Sequence, residues 1–133
     1  MEIGSTRVLP VECDVLAPDG SEVRVLLACE RGSMAHFTLS PGQVSRAVRH
    51  RQVEEIWYVL SGSGEIWRGA GDEQTYASLA AGVCLTIPAG VTFQFRATGT
   101  DPLRIVGTTM PPWPGPDEAI PAEGPWKDTM NGT

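Results

Sequence analysis

The chain has 133 residues, which is enough for one ordinary domain with a core of its own. A hydrophobic fraction of 41% and a charged fraction of 20% are typical of a soluble globular protein, and no apolar run approaches the roughly 18 residues that span a bilayer. The formal charge of -6 argues against nucleic acid as a partner, because affinity for phosphates depends on clustered Lys and Arg.

The N-terminal segment, MEIGSTRVLPVECD, has no basic region followed by a long apolar stretch, so we expect no secretory signal and a cytoplasmic location. The cysteines Cys13, Cys29 and Cys84 form no CxxC pair. Their odd number predicts reduced thiols, mostly packed in the core, rather than a disulfide framework. At the other end, the sequon at 131–133 is interpreted as a frayed tail.

Glycine (15 residues) and proline (11 residues) recur at short intervals and separate brief runs of β-branched and aromatic residues. No window of about a dozen residues keeps a helical period free of Gly or Pro, so long helices are not expected. The Gly62-Ser63-Gly64 triplet is interpreted as a hairpin turn, because no helix follows it that could bind a phosphate. The pattern predicts an all-β sandwich or barrel. The predicted strands are Glu22–Cys29, Ala35–Leu39, Ser45–His50, Glu55–Ser61, Glu65–Arg68, Gln74–Ser78, Val83–Ile87, Phe93–Ala97 and Leu103–Thr109.

Alternation along two strands indicates which faces are apolar. In Val91–Ala97 only the odd-numbered set is apolar, and it is predicted to point inward. In Glu55–Leu60 both sets carry apolar bulk, so one lines the interior and the other is covered by another sheet, the C-terminal tail or a second subunit. The second set, the Tyr58 face, comprises Ile56, Tyr58 and Leu60. We therefore expect a homodimer.

The segment from residue 110 onward contains too many prolines for a ladder strand or a helix interior, since each proline removes a donor and fixes φ. Trp113 and Trp126 are costly to leave in water. We expect this arm to run extended over the body and to dock both rings, with the Tyr58 face as a candidate surface. The arm is interpreted as a packing element, and a flap over a pocket mouth is the functional alternative.

Two motifs carry a resemblance to a known family. The first has Gly, five residues, Val48-Arg49-His50, four residues, Glu55, six residues and Gly62, starting at Gly42. The second contains Gly82, Pro88, Gly90, Phe93 and Ala97. Over residues 35 to 108 the chain resembles the cupin family, in which these motifs carry His-x-His and Glu, and then His and Asn. The resemblance implies a jelly-roll barrel of two antiparallel sheets: a single cupin domain over 1–133, with its core at about 20–109 and a Pro/Trp-rich C-terminal arm at 110–133.

The resemblance also identifies where a metal would sit. Metal-binding cupins hold one ion with the two histidines and the glutamate of the first motif and the histidine of the second. Carried over by position, these ligands are Val48, His50, Glu55 and Phe93, and valine and phenylalanine donate nothing. We expect no resident metal or other cofactor, with room for a weakly held divalent ion at His50 and Glu55. His36 is interpreted as an ordinary strand histidine.

If the barrel forms, His50 and Glu55 point into one aromatic-lined cavity, and Glu54 faces outward. Burial raises the pKa of a carboxyl group and lowers that of an imidazole, while their mutual attraction acts the other way. Such competition can place a proton-transfer group near neutrality, so His50 and Glu55 are the predicted catalytic pair. The residues predicted to contact the substrate are Val48, Trp57, Val59, Phe93 and Phe95.

We therefore expect a protein that binds a small organic ligand and acts as an isomerase, an epimerase or a cyclase, moving a proton next to a carbonyl without a metal. Epimerases and polyketide cyclases among small cupins are consistent with this expectation. Two alternatives remain: a non-catalytic ligand-binding or sensing module, and a metal-dependent oxygenase with an unusual ligand set. Fold alone does not choose among them.

Overall fold

The computed structural model describes residues 3–130; the first two residues and the sequon at 131–133 lie outside the described residues. Within residues 3–130 the chain is almost entirely β, and it contains no helix long and apolar enough to cross a membrane. The elements are β1 (Val15–Leu16), β2 (Glu22–Ala28), β3 (Ser33–Leu39), β4 (Val48–His50), β5 (Glu54–Ser61), β6 (Ser63–Ala70), β7 (Glu73–Ala80), β8 (Cys84–Ile87), β9 (Thr92–Ala97), β10 (Leu103–Met110), a 3₁₀ turn, η1 (Pro116–Glu118), and β11 (Ala119–Pro121).

The strands form two antiparallel sheets packed face to face. The six-stranded sheet has the order β1-β2-β3-β10-β5-β8, and the five-stranded sheet has the order β11-β4-β9-β6-β7. The chain crosses between the sheets after β3, β4, β5, β7, β8, β9 and β10, which produces the jelly roll that the family resemblance implied.

The core lies between the sheets, because alternate residues of each strand point inward. Trp57 of β5 and Phe93 and Phe95 of β9 are each only 1% exposed. The odd-numbered set of β9 thus faces inward, as predicted. Leu39 and Ile105, which lie in the same sheet as Trp57, belong to the same core cluster.

Each predicted strand is present, with shifted ends. The clearest shift is at the fourth, where only Val48–His50 of the predicted Ser45–His50 is extended. Sequence reasoning did not find β1 or β11. β11 lies in the proline-rich arm, so the expectation that this arm could not join a ladder was wrong. It pairs with β4 at the edge of its sheet. Pro121 has no N–H group to donate, but an edge strand has a neighbour on one side only, so proline is tolerated there.

The glycine after β5 does not form a hairpin, which corrects the prediction for the Gly62-Ser63-Gly64 triplet. β5 and β6 belong to different sheets, and Gly62 carries the chain from one to the other with φ of 84°. A Cβ here would lie 2.4 Å from the carbonyl oxygen of Pro102. Both the positive φ and this close approach require glycine.

The outer surface of the six-stranded sheet contradicts two further expectations. Ile56, Tyr58 and Leu60 are 43%, 51% and 44% exposed, so neither the arm nor another sheet covers the Tyr58 face. Cys84 lies opposite Tyr58 on the same outward side. It is exposed, as are Cys13 and Cys29, so the thiols are free but not packed in the core.

Candidate functional site

The sheets enclose a cavity of about 430 Å³ that opens at one end of the barrel. Most of its lining is apolar or aromatic, and residues from both sheets, the loop after β1 and the arm contribute to it. The titratable or hydroxyl side chains in the lining are Asp19, Ser33, His50, Glu55 and Thr109. No Lys or Arg lines it within the part of the chain that the structure describes.

Strand alternation brings His50 and Glu55 to this cavity. His50 is the last residue of β4 in one sheet, and Glu55 follows closely on β5 in the other, where it is paired with Ile87 and Thr109. Both side chains are 4% exposed. Glu54 has the opposite parity and is exposed, as the sequence predicted.

The carboxyl group of Glu55 lies between His50 and Trp57. His50 Nδ1 is 3.3 Å from Glu55 Oε1, but its geometry makes no hydrogen bond with any group of residues 3–130. Trp57 Nε1–H donates to Glu55 Oε2 at 2.7 Å. Gly107 of β10 leaves room for this pair, because a Cβ there would lie 3.2 Å from both Glu55 Oε2 and Trp57 Cδ1.

Burial shifts the two titratable groups in opposite directions. Desolvation raises the pKa of Glu55 to about 7, the Trp57 hydrogen bond opposes this, and the charge of Asp19 adds to it. Desolvation lowers the pKa of His50 to about 4, against the attraction of Glu118. Near pH 7 the imidazole is therefore neutral and the carboxyl group of Glu55 is close to half ionised, which suits a group that takes up and returns a proton.

The five predicted substrate contacts do not lie at the same depth. Val48, Trp57 and Phe93 line the cavity. Val59 and Phe95 are buried in the core and do not belong to the lining. Phe95 supports the site from below, with its ring centroid 4.9 Å from that of Trp57.

Sequence reasoning missed a second carboxyl group, that of Asp19 in the loop between β1 and β2. Asp19 lines the same cavity and is 6% exposed. Its Oδ1 accepts hydrogen bonds from the backbone N–H and the hydroxyl group of Ser21, at 2.9 and 2.7 Å. Burial raises its pKa. In the sequence, Pro18-Asp19-Gly20 resembles an ordinary turn, so only the Asp-x-Ser spacing of an Asx turn was visible.

The C-terminal arm forms part of the cavity wall, through Pro112, Trp113, Pro116 and Ala119. The indole of Trp113 makes an edge contact with His50 at 5.0 Å between centroids, and its backbone N–H donates to Ser33 Oγ at 3.0 Å. Glu118 Oε2 accepts the backbone N–H groups of Gln52 and Val53 at 2.7 and 2.8 Å. The arm is thus attached to the turn between His50 and Glu55.

The second tryptophan of the arm docks elsewhere. Trp126 lies under the guanidinium of Arg96, 4.1 Å from the ring centroid, and its backbone exchanges hydrogen bonds with the amide of Gln94. These residues are on the outward side of β9. Neither tryptophan packs on the Tyr58 face, which corrects the surface named from the sequence.

The cavity does not supply the donors of a metal site. The four positions that the family uses hold Val48, His50, Glu55 and Phe93, and no three His, Cys, Asp or Glu side chains among residues 3–130 converge as ligands. His36 is buried on the outward side of β3, away from the cavity lining, and does not replace a missing ligand. The residues present do not fit a resident catalytic ion, which usually needs about three protein ligands.

Comparison with known proteins identifies the fold. The family model described as "Cupin domain" matches residues 35–109. The chain belongs to the cupin family. No curated protein matches the sequence of this cupin.

Solved structures share its fold at low sequence identity. KdgF from Halomonas sp. is 15% identical over 81% of this chain and 94% of that chain, with a TM-score of 0.67. The capsular polysaccharide assembling protein CapF from Staphylococcus aureus is 18% identical over 88% of this chain but only 34% of that chain, with a TM-score of 0.70. A Thermotoga maritima protein described as a predicted oxalate decarboxylase is 21% identical over 68% of this chain and 79% of that chain, with a TM-score of 0.59. At these identities the similarity concerns the fold alone.

Proposed function

We propose that this cupin binds a small, largely apolar organic molecule in the barrel cavity and moves a proton within it through Glu55 and His50, without a metal. This is the chemistry of an isomerase, an epimerase or a cyclase. The observation that carries the proposal is the Glu55 carboxyl group, which is enclosed by aromatic rings, lies 3.3 Å from His50 Nδ1 and has a pKa of about 7. A base of that pKa is matched to proton transfer at neutral pH.

The roles follow from the two charge states. Ionised Glu55 takes a proton from a carbon next to a carbonyl group and, once protonated, returns it to another position of the same ligand. His50 stays neutral and offers a hydrogen-bonding nitrogen beside the carboxyl group. Trp57 Nε1–H holds Oε2 and leaves Oε1 for the transfer.

The charged groups that line the cavity affect which substrates can bind there. Oxalate, which appears in the description of the Thermotoga protein, is a dianion. Two carboxyl groups line this cavity, and no Lys or Arg of residues 3–130 does so. Coulomb repulsion and the loss of hydration therefore disfavour small carboxylates as ligands.

A non-catalytic ligand-binding or sensing role is the second candidate. It is favoured by the 2.7 Å bond from Trp57 to Glu55, since a carboxyl group with a good partner is also what a purely structural polar pair would show. In that case ligand binding persists without any proton exchange.

Proton exchange in heavy water separates the two candidates. Cyclic ketones such as 2-tetralone and polyphenols are incubated with the protein, and deuterium uptake or isomerisation is followed by NMR. We expect Glu55→Gln to reduce the exchange rate by about 10² to 10⁴ and His50→Ala to reduce it strongly, while both variants still bind. Glu54→Gln, one residue away and exposed, is the matched control. Equal rates in wild type and both site variants would contradict the proposal.

We also propose that the protein is a cytoplasmic homodimer joined through the Tyr58 face. That face exposes three large apolar side chains on one flat sheet surface. Exposed Glu54 lies at one end of β5, and exposed Arg104, on β10, lies near the other. A two-fold axis through Tyr58 would bring each acid of one copy to the base of the other, so a second copy of this chain fits the surface.

A further inference from the structure

Asp19 and Glu55 place two carboxyl groups in the lining of one cavity. They come from separate elements, the loop after β1 and strand β5. The two hydrogen bonds from Ser21 both end on Asp19 Oδ1. Glu55 receives one hydrogen bond, from Trp57, on Oε2. The Ser21 bonds leave Asp19 Oδ2, and the Trp57 bond leaves Glu55 Oε1, with capacity to accept a hydrogen bond from a ligand.

A third acceptor lies beside Glu55. His50 is 4% exposed, and its Nδ1 makes no hydrogen bond with the described residues although it is 3.3 Å from Glu55 Oε1. When His50 is neutral with its proton on Nε2, this nitrogen is an acceptor. Two acceptors at that distance can both receive N–H groups from one ammonium.

The rest of the wall is suited to a cation. The ring of His50 contacts Phe93 and Trp113 at 5.3 and 5.0 Å between centroids, and Trp57 contacts Phe93 at 5.7 Å. Aromatic faces carry negative charge density and attract ammonium groups, more strongly where water is excluded.

The charged groups around the acids do not neutralise the cavity. Arg46 lies beside the Pro18-Asp19 turn, with Nη1 3.5 Å from the Pro18 carbonyl oxygen, and it does not belong to the cavity lining. It lowers the pKa of Asp19 less than burial raises it. Glu118, close enough to influence His50, adds negative charge. Two buried carboxyl groups in a cavity that no Lys or Arg of residues 3–130 lines would be stabilised by a ligand that brings a positive charge.

We propose that the ligand of this cupin carries a protonated amine, held between the carboxyl groups of Asp19 and Glu55 while its apolar part lies against Trp57, Phe93 and Trp113. The inference rests on the proposed function in that both place the ligand in the same cavity. It adds the charge of the ligand and the role of Asp19. An ammonium beside Glu55 would also lower the pKa of that carboxyl group and so keep it ionised at neutral pH.

Three probes of one skeleton test the ligand charge: 3-phenylpropylamine, 3-phenylpropanol and 3-phenylpropanoate. Binding is measured by calorimetry and by the fluorescence of the tryptophans at the cavity. At pH 8 we expect the amine to bind roughly tenfold tighter than the alcohol, and the carboxylate to bind weakest. The amine is protonated throughout, so its advantage should shrink from pH 8 to pH 6 as Glu55 takes up a proton.

Two conservative variants assign the effect to the acids. Asp19→Asn keeps an oxygen for both Ser21 bonds, and Glu55→Gln keeps one for Trp57. Each should reduce the preference for the amine over the alcohol at pH 8 while leaving the affinity for the alcohol within about twofold of wild type. Glu54→Gln, which alters an exposed acid beside the site, should change neither value.

The inference is overturned if wild-type protein binds the alcohol or the carboxylate as tightly as the amine, if it binds none of the three probes, or if both site variants retain the preference for the amine. Its failure is separable from that of the proposed function. Loss of ketone exchange in Glu55→Gln together with no charge preference contradicts only the inference about the amine. A charge preference together with unchanged ketone exchange in the variants contradicts only the proton transfer.

Discussion

At position 55 a carboxyl group is almost completely buried, and so is an imidazole at position 50. Each group keeps its uncharged form over a wider pH range than it would in solution. In the unfolded chain Glu55 releases its proton near pH 4.5, but in the folded protein it does so near pH 7. The stability that Glu55 contributes is therefore present below about pH 4.5 and is lost as the pH rises through about 7.

The contribution of His50 to stability changes with pH in the opposite direction. It takes up a proton near pH 6.5 when unfolded and near pH 4 when folded, so its contribution is present above pH 6.5 and is lost as the pH falls through about 4. Between about pH 4.5 and pH 6.5 the two slopes oppose each other. These two groups together should leave the free energy of unfolding nearly flat in that window.

Glu55→Gln removes the contribution of Glu55 to the pH dependence of the free energy of unfolding. Relative to wild type, the free energy of unfolding of this variant should rise by about 3 kcal/mol between pH 4 and pH 8, since a shift of one pKa unit corresponds to about 1.4 kcal/mol. Urea unfolding at several pH values measures the difference. A Glu55→Gln curve parallel to that of wild type would contradict the shift.

At the scale of elements, the arm is held near the site by Glu118 rather than by its tryptophans alone. Burial acts to raise the pKa of Glu118, but the backbone amides of Gln52 and Val53 outweigh it, so the pKa is lowered. η1 and β11 are thereby fixed to the β4–β5 turn, which positions both His50 and Glu55. The arm and the β4–β5 turn are thereby held together.

Glu118→Ala should release the arm from the β4–β5 turn. The change leaves two amide donors without acceptors, which we expect to cost about 2 kcal/mol or more. Hydrogen exchange of the Gln52 and Val53 amides should accelerate, and the fluorescence of Trp113 should shift toward that of a solvated indole. Glu123→Ala, an exposed acid on the same arm, is the control. If both amides keep their protection against hydrogen exchange in Glu118→Ala, this role of Glu118 is contradicted.

At the scale of the whole molecule, the two sheets differ on their outer sides. The outer side of the five-stranded sheet is covered in part by the arm, where Gln94 and Trp126 meet. The outer side of the six-stranded sheet exposes the Tyr58 face. A group of exposed large apolar side chains of this kind is typical of an interface.

Tyr58→Glu should disrupt the proposed homodimer. Light scattering after gel filtration should give twice the mass of the chain for wild type and about one chain mass for the variant, because a buried unpaired charge is strongly unfavourable in an interface. Tyr76→Glu is the matched control, since Tyr76 is 52% exposed on the five-stranded sheet against 51% for Tyr58. A monomeric wild type would contradict the dimer.

Much of the fold and part of the site follow from local rules. Alternation within β5 and the spacing of the motif around His50 and Glu55 put both side chains on inward positions of two consecutive strands, which lie in opposite sheets. These rules act over a few residues, so they can be read directly from the chain. They could not distinguish a hairpin from a crossover at Gly62, because that choice depends on the strand that each neighbour pairs with.

What the sequence by itself determined is the β class, the inward pair at positions 50 and 55 and the loss of two metal-ligand positions. Only the tertiary structure decided that Asp19 and Trp113 line the cavity. It also decided that Glu118 binds the arm to the β4–β5 turn and that the Tyr58 face is left uncovered. The physical reason is sequence separation. Strand parity is a property of neighbouring residues, whereas the position of a loop or an arm depends on contacts with residues far away in the chain.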